Sequence, residues 1–182
     1  MTIAAKWITA EELLALGEDL RNVELYNGEP RNVSPANMRH GNIAVQISWL
    51  LQQYVKPRQL GSVMVEGGFV LARSPDTVLG SDVSFVRQSR LPVEGLPEEF
   101  FAGHPDLAVE IISPTNTRRQ LDEKMKLYIQ HGTELGWLVD PNSQSVEVYR
   151  AGLAVERFAK SDVITGEQVI PGFACGVAEF FA

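Results

Sequence analysis

Residues 106–141 constrain the fold more than any other part of the chain. They read DLAVEIISPTNTRRQLDEKMKLYIQHGTELGWLVDP. The run Leu107–Ile112 is apolar and rich in β-branched residues, the pattern of a strand buried on both faces. One carboxylate, Glu110, interrupts it. An ionised acid in such a strand is costly unless a cation or hydrogen-bond donors satisfy it. Glu110 is therefore either a paired structural acid or part of a site. Thr117 to about His131 then follows a helical pattern, with Gly132 as its stop. Gly136–Asp140 returns to strand composition, and Pro141-Asn142 turns the chain into SVEVYR.

The flanking segments fit one domain over residues 1–182, an α/β (mixed α+β) fold with helices on the faces of a central mixed sheet. An N-terminal unit spans 9–35. Thr9-Ala-Glu-Glu12 reads as a capping box for a helix through Leu16, and VELYNGEP reads as a hairpin turning at Asn27-Gly28. A core spans 38–150. Its first helix runs from about His40 to Tyr54, where Ile43, Ile47, Leu50, Leu51 and Tyr54 make one buried stripe. VMVEGGFVL is expected to be a strand with a turn or bulge at Gly67-Gly68, SPDTVLGS a loop, SDVSFV a strand, and RLPVEGLPEEFFAGHP a long loop. Residues 151–182 add short strands or edges at AVERFA and around QVIPGF.

Composition excludes several classes. No apolar stretch has the length of a membrane span. The N-terminus, MTIAAKWITAEELLAL, lacks the layout of a signal peptide. The single cysteine, Cys175, excludes an internal disulfide and a cysteine-rich zinc site, and a reducing cytoplasm is the simplest compartment. A net charge of -7 argues against tight nonspecific binding of nucleic acid. Charge at a site matters more than the sum, and a bound cation would neutralise some of the acids. The chain has no GxxxxGK[ST] loop, HExxH, GxSxG or CxxC motif.

What remains is a pair of strand acids followed by a lysine. Asp82 begins the strand-like DVSFV; Glu110 sits in the central strand; Lys124 lies in the next helix. If the two strands are neighbours in register, the carboxylates lie roughly 5 Å apart and can share one ion. Asp106 is the alternative, but it lies roughly 13 Å from Glu110 along the strand and reads as a strand-start residue. Lys124 falls on the shoulder of the helix stripe formed by Leu121, Met125, Tyr128 and Ile129, where a lysine can bury its stem and send its ammonium along the sheet. A solvated helix charge is the competing reading; Lys126 points further away. Arg118 and Arg119 sit at the helix start, where positive charge opposes the helix dipole, and are either phosphate contacts or exposed arginines offset by Asp122 and Glu123. Glu24, Glu66 and His40 are supporting candidates, while His104 and His131 read as loop and helix-end residues.

The blocks VELYNGEP, RHGNIAVQIS, GGFVLARSPDTVLGSDVSFV, HPDLAVEIISPTN and EKMKLYIQHGTELGWLVDP together resemble the Uma-two family, bacterial restriction-endonuclease proteins of the PD-(D/E)XK nuclease superfamily. The resemblance runs from about Glu11 to Phe181. It implies a restriction-endonuclease-like core, a divalent metal (Mg²⁺ or Mn²⁺) and action on nucleic acid. On that pattern Asp82 and Glu110 are the catalytic, metal-holding acids. The lysine expected two residues after the second acid is replaced by Ile112, and Lys124 stands where the family carries it on the following helix. Glu24 and His40 match supporting positions. The chain departs from the family in having Ser81 for a proline and Leu79-Gly80 for Arg-Ala, the loss of a basic residue beside the site.

The leading expectation is a Mg²⁺- or Mn²⁺-dependent endonuclease hydrolysing phosphodiester bonds in DNA, paired as a homodimer because cutting two strands favours two sites. A non-catalytic binding module that retains the fold is the alternative from another class. A metal-dependent hydrolase of a smaller phosphate ester is the third.

Overall fold

The computed structural model describes residues 7–15 and 23–182. Thr9 and Glu12 form a reciprocal capping box, with Thr9 N donating to Glu12 at 3.0 Å and Glu12 N donating to Thr9 Oγ1 at 3.1 Å. The short helix it opens, α1, covers Ala10–Ala15; Leu16, the expected end, lies outside the described residues. The hairpin follows as β1 (Val23–Tyr26) and β2 (Glu29–Asn32). Its turn has positive φ at both Asn27 and Gly28, the requirement of a two-residue hairpin loop.

Helix α2 (Met38–Val55) is capped by the Asn37 side chain, which accepts from His40 N at 3.0 Å. Two long strands, β3 (Gly61–Ala72) and β4 (Thr77–Arg87), then form an antiparallel hairpin. Here two expectations fail. Residues 77–80 are strand and not loop, because pairing with β3 recruits them whatever their local propensity. Register runs unbroken through Gly67 and Gly68 and shifts instead between Val70 and Ala72. The long loop contains a two-residue strand, β5 (Phe101–Ala102), parallel to β3.

Strand β6 (Leu107–Ile111) is buried along its whole length, as its composition requires. Helix α3 (Arg118–Gln130) carries the chain over to β7 (Leu135–Asp140), parallel to β6, and β8 (Ser145–Tyr149) and β9 (Glu156–Phe158) continue antiparallel. The main path of the sheet is β2-β1-β4-β6-β7-β8-β9, mixed in direction. The C-terminal strands are β10 (Val163–Thr165) and β11 (Ala174–Gly176); QVIPGF is the turn between them and not an edge strand.

Each face of the sheet carries one long helix. Ile43, Ile47, Leu51 and Val55 of α2 pack on Val83, Val109, Ile111 and Trp137. Leu121, Met125 and Tyr128 of α3 pack on Ala108, Leu138 and Tyr149. Gly136 lets α3 settle close to β7: a Cβ there would lie 2.4 Å from Met125 Cε. Among the described residues no helix is long and apolar enough to cross a membrane.

Candidate active site

The site forms where β4 and β6 part. Their ladder pairs Phe85 with Leu107, Ser84 with Ala108 and Val83 with Val109, and stops there. The next residues on the two strands are Asp82 and Glu110. Beyond the last rung the Asp82 side chain takes over: its Oδ2 accepts Ile111 N at 2.6 Å. The carboxylate thus satisfies a main-chain donor that the ended ladder leaves without a strand partner. The same oxygen accepts from His40 Nε2 at 3.0 Å, a contact set by the Asn37 cap that places His40 in the first turn of α2.

Glu110 turns to the other helix. Lys124 Nζ lies 2.9 Å from Glu110 Oε2, 2.7 Å from Glu24 Oε1 and 2.7 Å from Gly80 O. Three acceptors for three N–H donors satisfy the ammonium completely. The Lys124 side chain is only 10 % exposed, so the helical shoulder position does bury its stem and send its head along the sheet. Glu24 also accepts from Gly80 N at 3.1 Å and from the Tyr26 hydroxyl at 2.9 Å. The main chain of Gly80 thus contacts the acid through its N–H and the lysine through its carbonyl. Tyr26 was not foreseen in the sequence. Its place two residues after Glu24, on the same strand face, is the signal that could have found it.

Burial pushes the Glu110 carboxyl well above the usual carboxylate range; the charges of Asp82 and Glu24 push the same way, and Lys124 opposes them. Burial works against the Lys124 ammonium, but Glu110 and Glu24 outweigh it and hold the group charged well above the usual range. Desolvation disfavours the His40 imidazolium, yet the hydrogen bond and charge of Asp82 raise its pKa overall. Glu110 Oε1 and His40 Nδ1 are buried without a hydrogen-bond partner.

Asp82, Glu110, Lys124, Glu24, His40 and Glu66 all line one cavity of about 730 Å³. Glu66 is exposed at φ +55°, between the pairs Val65–Val83 and Gly67–Ser81 and so across from Asp82. The two arginines stay outside the cavity lining. Arg118 is tied to Asp122 at 2.9 Å, to Glu147 and to the Tyr149 hydroxyl. Arg119 is exposed, and its side chain makes no hydrogen bond or ion pair among the described residues. Asp106 is elsewhere: 1 % exposed, it bonds Arg87 N and the guanidinium of Arg87, each at 2.8 Å, and pairs with Arg90 at 3.0 Å. His104 bonds Arg90, His131 ends α3, and Lys126 is exposed. Leu79 is fully buried against the α3 side of the core, so its side chain is not a surface position beside the cavity.

Among the described residues no three His, Cys, Asp or Glu side chains form a ready metal cage. A hard cation such as Mg²⁺ needs only one or two carboxylates, its other positions going to water and phosphate. Asp82 beside Glu110, with Glu110 Oε1 unpartnered, fits that smaller donor set.

Known proteins share this fold. A crystal structure from Anabaena variabilis ATCC 29413, described as a putative nuclease belonging to DUF820, superposes with a TM-score of 0.85 at 25% identity, covering 96% of this chain and 97% of that one. No curated protein matches the chain. The family profile described as "Uma2: Putative restriction endonuclease" matches residues 10–178. The chain therefore belongs to the Uma2 family, and a nuclease is the class of activity that family and structural neighbour both support.

Proposed function

We propose that the chain is a Mg²⁺- or Mn²⁺-dependent endonuclease that hydrolyses phosphodiester bonds in DNA. The observation that carries this reading is the meeting of three residues from distant segments, Asp82, Glu110 and Lys124, at one cavity, with a buried Glu110 oxygen left without a partner. Asp82 and Glu110 would hold the cation. A divalent ion there supplies Lewis acidity to phosphate oxygens and charge to offset the two carboxylates. Lys124 places a fixed positive charge beside the reacting phosphate, oriented by Glu24 and the Gly80 carbonyl so that little reorganisation is needed. His40 fixes the rotamer of Asp82 from behind, leaving the second carboxylate oxygen, Oδ1, for the metal. Tyr26 fixes Glu24 in the same way. Glu66, exposed on the cavity wall, is a supporting acid, and Arg119 has the unengaged guanidinium that a neighbouring phosphate requires. A homodimer, the commonest assembly, would carry two such sites.

The test is metal uptake and cleavage together. Titration calorimetry with Mg²⁺ and Mn²⁺ should give one site in the wild type and none in Asp82→Asn. At a metal concentration one hundred times Kd, linkage predicts a stabilisation of about 2.7 kcal/mol, or roughly 5–11 °C in Tm. Full cleavage of DNA by Asp82→Asn or Glu110→Gln would refute the assignment. Absence of both metal uptake and cleavage would leave a binding module on a nuclease fold.

A further inference from the structure

The cavity that holds the acids is larger and more apolar than a phosphate needs. Its acidic end carries Glu24, Glu66, Asp82 and Glu110. Beside polar residues such as Ser113 and Asn116, its wall includes apolar side chains: Leu13 and Leu14 of α1, Val33 and Pro35 from the segment after β2, Val78 of β4 and the Phe100 ring. That wall is built in. Ala10 N donates to Asp76 at 2.8 Å, Arg73 bridges Asp76 and Glu11, and Ile8 N donates to Gly28 O at 3.0 Å, so α1 is pinned across the cavity. Phe100 sits directly on Gly68: a Cβ added there would lie 2.4 Å from its ring. Ser81, 1 % exposed, also lines the cavity, and its Oγ has no hydrogen-bond partner.

Charge and size then limit the occupant. The only lysine or arginine among the described lining residues is Lys124, and it already faces Glu110 and Glu24, while His40, the other basic group there, is bonded to Asp82. A row of duplex phosphates would find no unengaged basic side chain there, whereas duplex binding rests on many such contacts. A volume of about 730 Å³ is in the range that encloses a ligand of nucleotide size, far short of a double helix. An aromatic ring beside aliphatic walls suits the flat face of an exposed base, and an unpaired hydroxyl suits its edge.

We infer that this cavity receives a single unpaired nucleotide, its base lodged against Phe100, Leu14 and Val33 and its phosphate at the Asp82–Glu110 end, so that the substrate is a single strand or a frayed or flipped position and not intact duplex. The inference rests on the nuclease reading and narrows its substrate. A strand that reaches the acids must leave its stack, as in enzymes that work on extruded bases.

The experiment has two arms. In the first, wild-type protein with Mn²⁺ is given one sequence as a single strand, as a duplex with unpaired ends, and as a duplex closed by hairpins at both ends. Cleavage of the single strand should be at least ten-fold faster than that of the closed duplex; equal or faster cutting of the closed duplex overturns the inference while upholding the nuclease. In the second arm, Ca²⁺ replaces Mn²⁺ and binding of a short single strand containing 2-aminopurine is followed by base fluorescence. Binding should quench the base, and Leu14→Asp and Val33→Asp should each weaken it about ten-fold, the size of one lost base contact. Both positions are partly solvent-exposed, so both variants should keep the wild-type melting temperature. Quenching without cleavage in any arm would sink the nuclease reading and leave the base pocket standing. No quenching, or turnover of a mononucleotide ester with no strand bound, sinks the pocket.

Discussion

Replacing Lys124 by methionine should damage the fold before it reveals anything about chemistry. The ammonium makes three contacts of 2.7–2.9 Å, and two of them go to carboxylates whose side chains are only 7 % and 3 % exposed. Methionine keeps the apolar stem and removes the charge, so Glu24 and Glu110 face each other with no cation between them. Breaking a buried ion pair from one side costs about 3–5 kcal/mol. In a chain of this size that corresponds to a fall in Tm of roughly 6–20 °C. The loss should grow with pH. With the lysine gone, the folded-state pKa of Glu110 rises further above its unfolded value. A group raised in this way contributes stability that is complete below the unfolded pKa and is lost as pH rises through the folded one. The penalty should therefore be smaller at pH 5 than at pH 8. The double variant Lys124→Met/Glu110→Gln should recover part of the loss, because the amide no longer has to ionise. Thermal melts in chelator-containing buffer measure all of this. If Lys124→Met melts within about 2 °C of wild type at pH 8, the ammonium does not balance the two acids and the electrostatic account of the site fails.

Other substitutions test separate parts of the structure. Glu110→Gln should lose less stability than wild type between pH 4 and pH 8 in metal-free buffer, since the raised folded-state pKa of Glu110 makes its ionisation costly as pH rises and the amide cannot ionise; a steeper loss in the variant would contradict that sign. Asp106→Ala should lower stability by about 3 kcal/mol, leaving Arg87 N and two guanidinium partners without their acceptor, yet keep full cleavage per folded molecule; loss of cleavage at unchanged Tm would make Asp106 a site acid after all. Gly68→Ala should cost about 1–3 kcal/mol by displacing the Phe100 ring, and should cost nothing measurable once Phe100 is alanine; an equal cost in both backgrounds would show that the ring is not what the methyl meets.

The elements carrying strong local signals were readable from the residues alone. Glu110 stood out because an acid in an apolar strand demands an explanation. The angular position of Lys124 on its helix left its reach to the sheet possible and its alternative, a solvated charge, open; family resemblance then favoured the reach. Capping at Thr9 and the turn at Asn27-Gly28 follow from side-chain chemistry that acts over three or four residues. The failures are non-local. Residues 77–80 look like a turn because Asp76 and Gly80 are poor strand formers, and only pairing with β3 makes a strand of them. Main-chain partners such as Ile111 N for Asp82, and Gly80 for Glu24 and Lys124, carry no side-chain signature and could not be read. Arg118 illustrates the limit from the other side. Its place at a helix start suggested a phosphate, while the nearby Glu147, distant in sequence, had already claimed it.

Asp82 serves as the rung that closes the β4–β6 fork, and Lys124 as the counterweight of two sequestered acids. Selection for a foldable chain alone would therefore preserve both of them through long stretches of drift. A descendant that no longer cut anything would still carry the acid and the lysine. Their persistence in a homologue is accordingly weak testimony to turnover, and the buried Glu110 oxygen that no hydrogen bond satisfies is the better place to look for it.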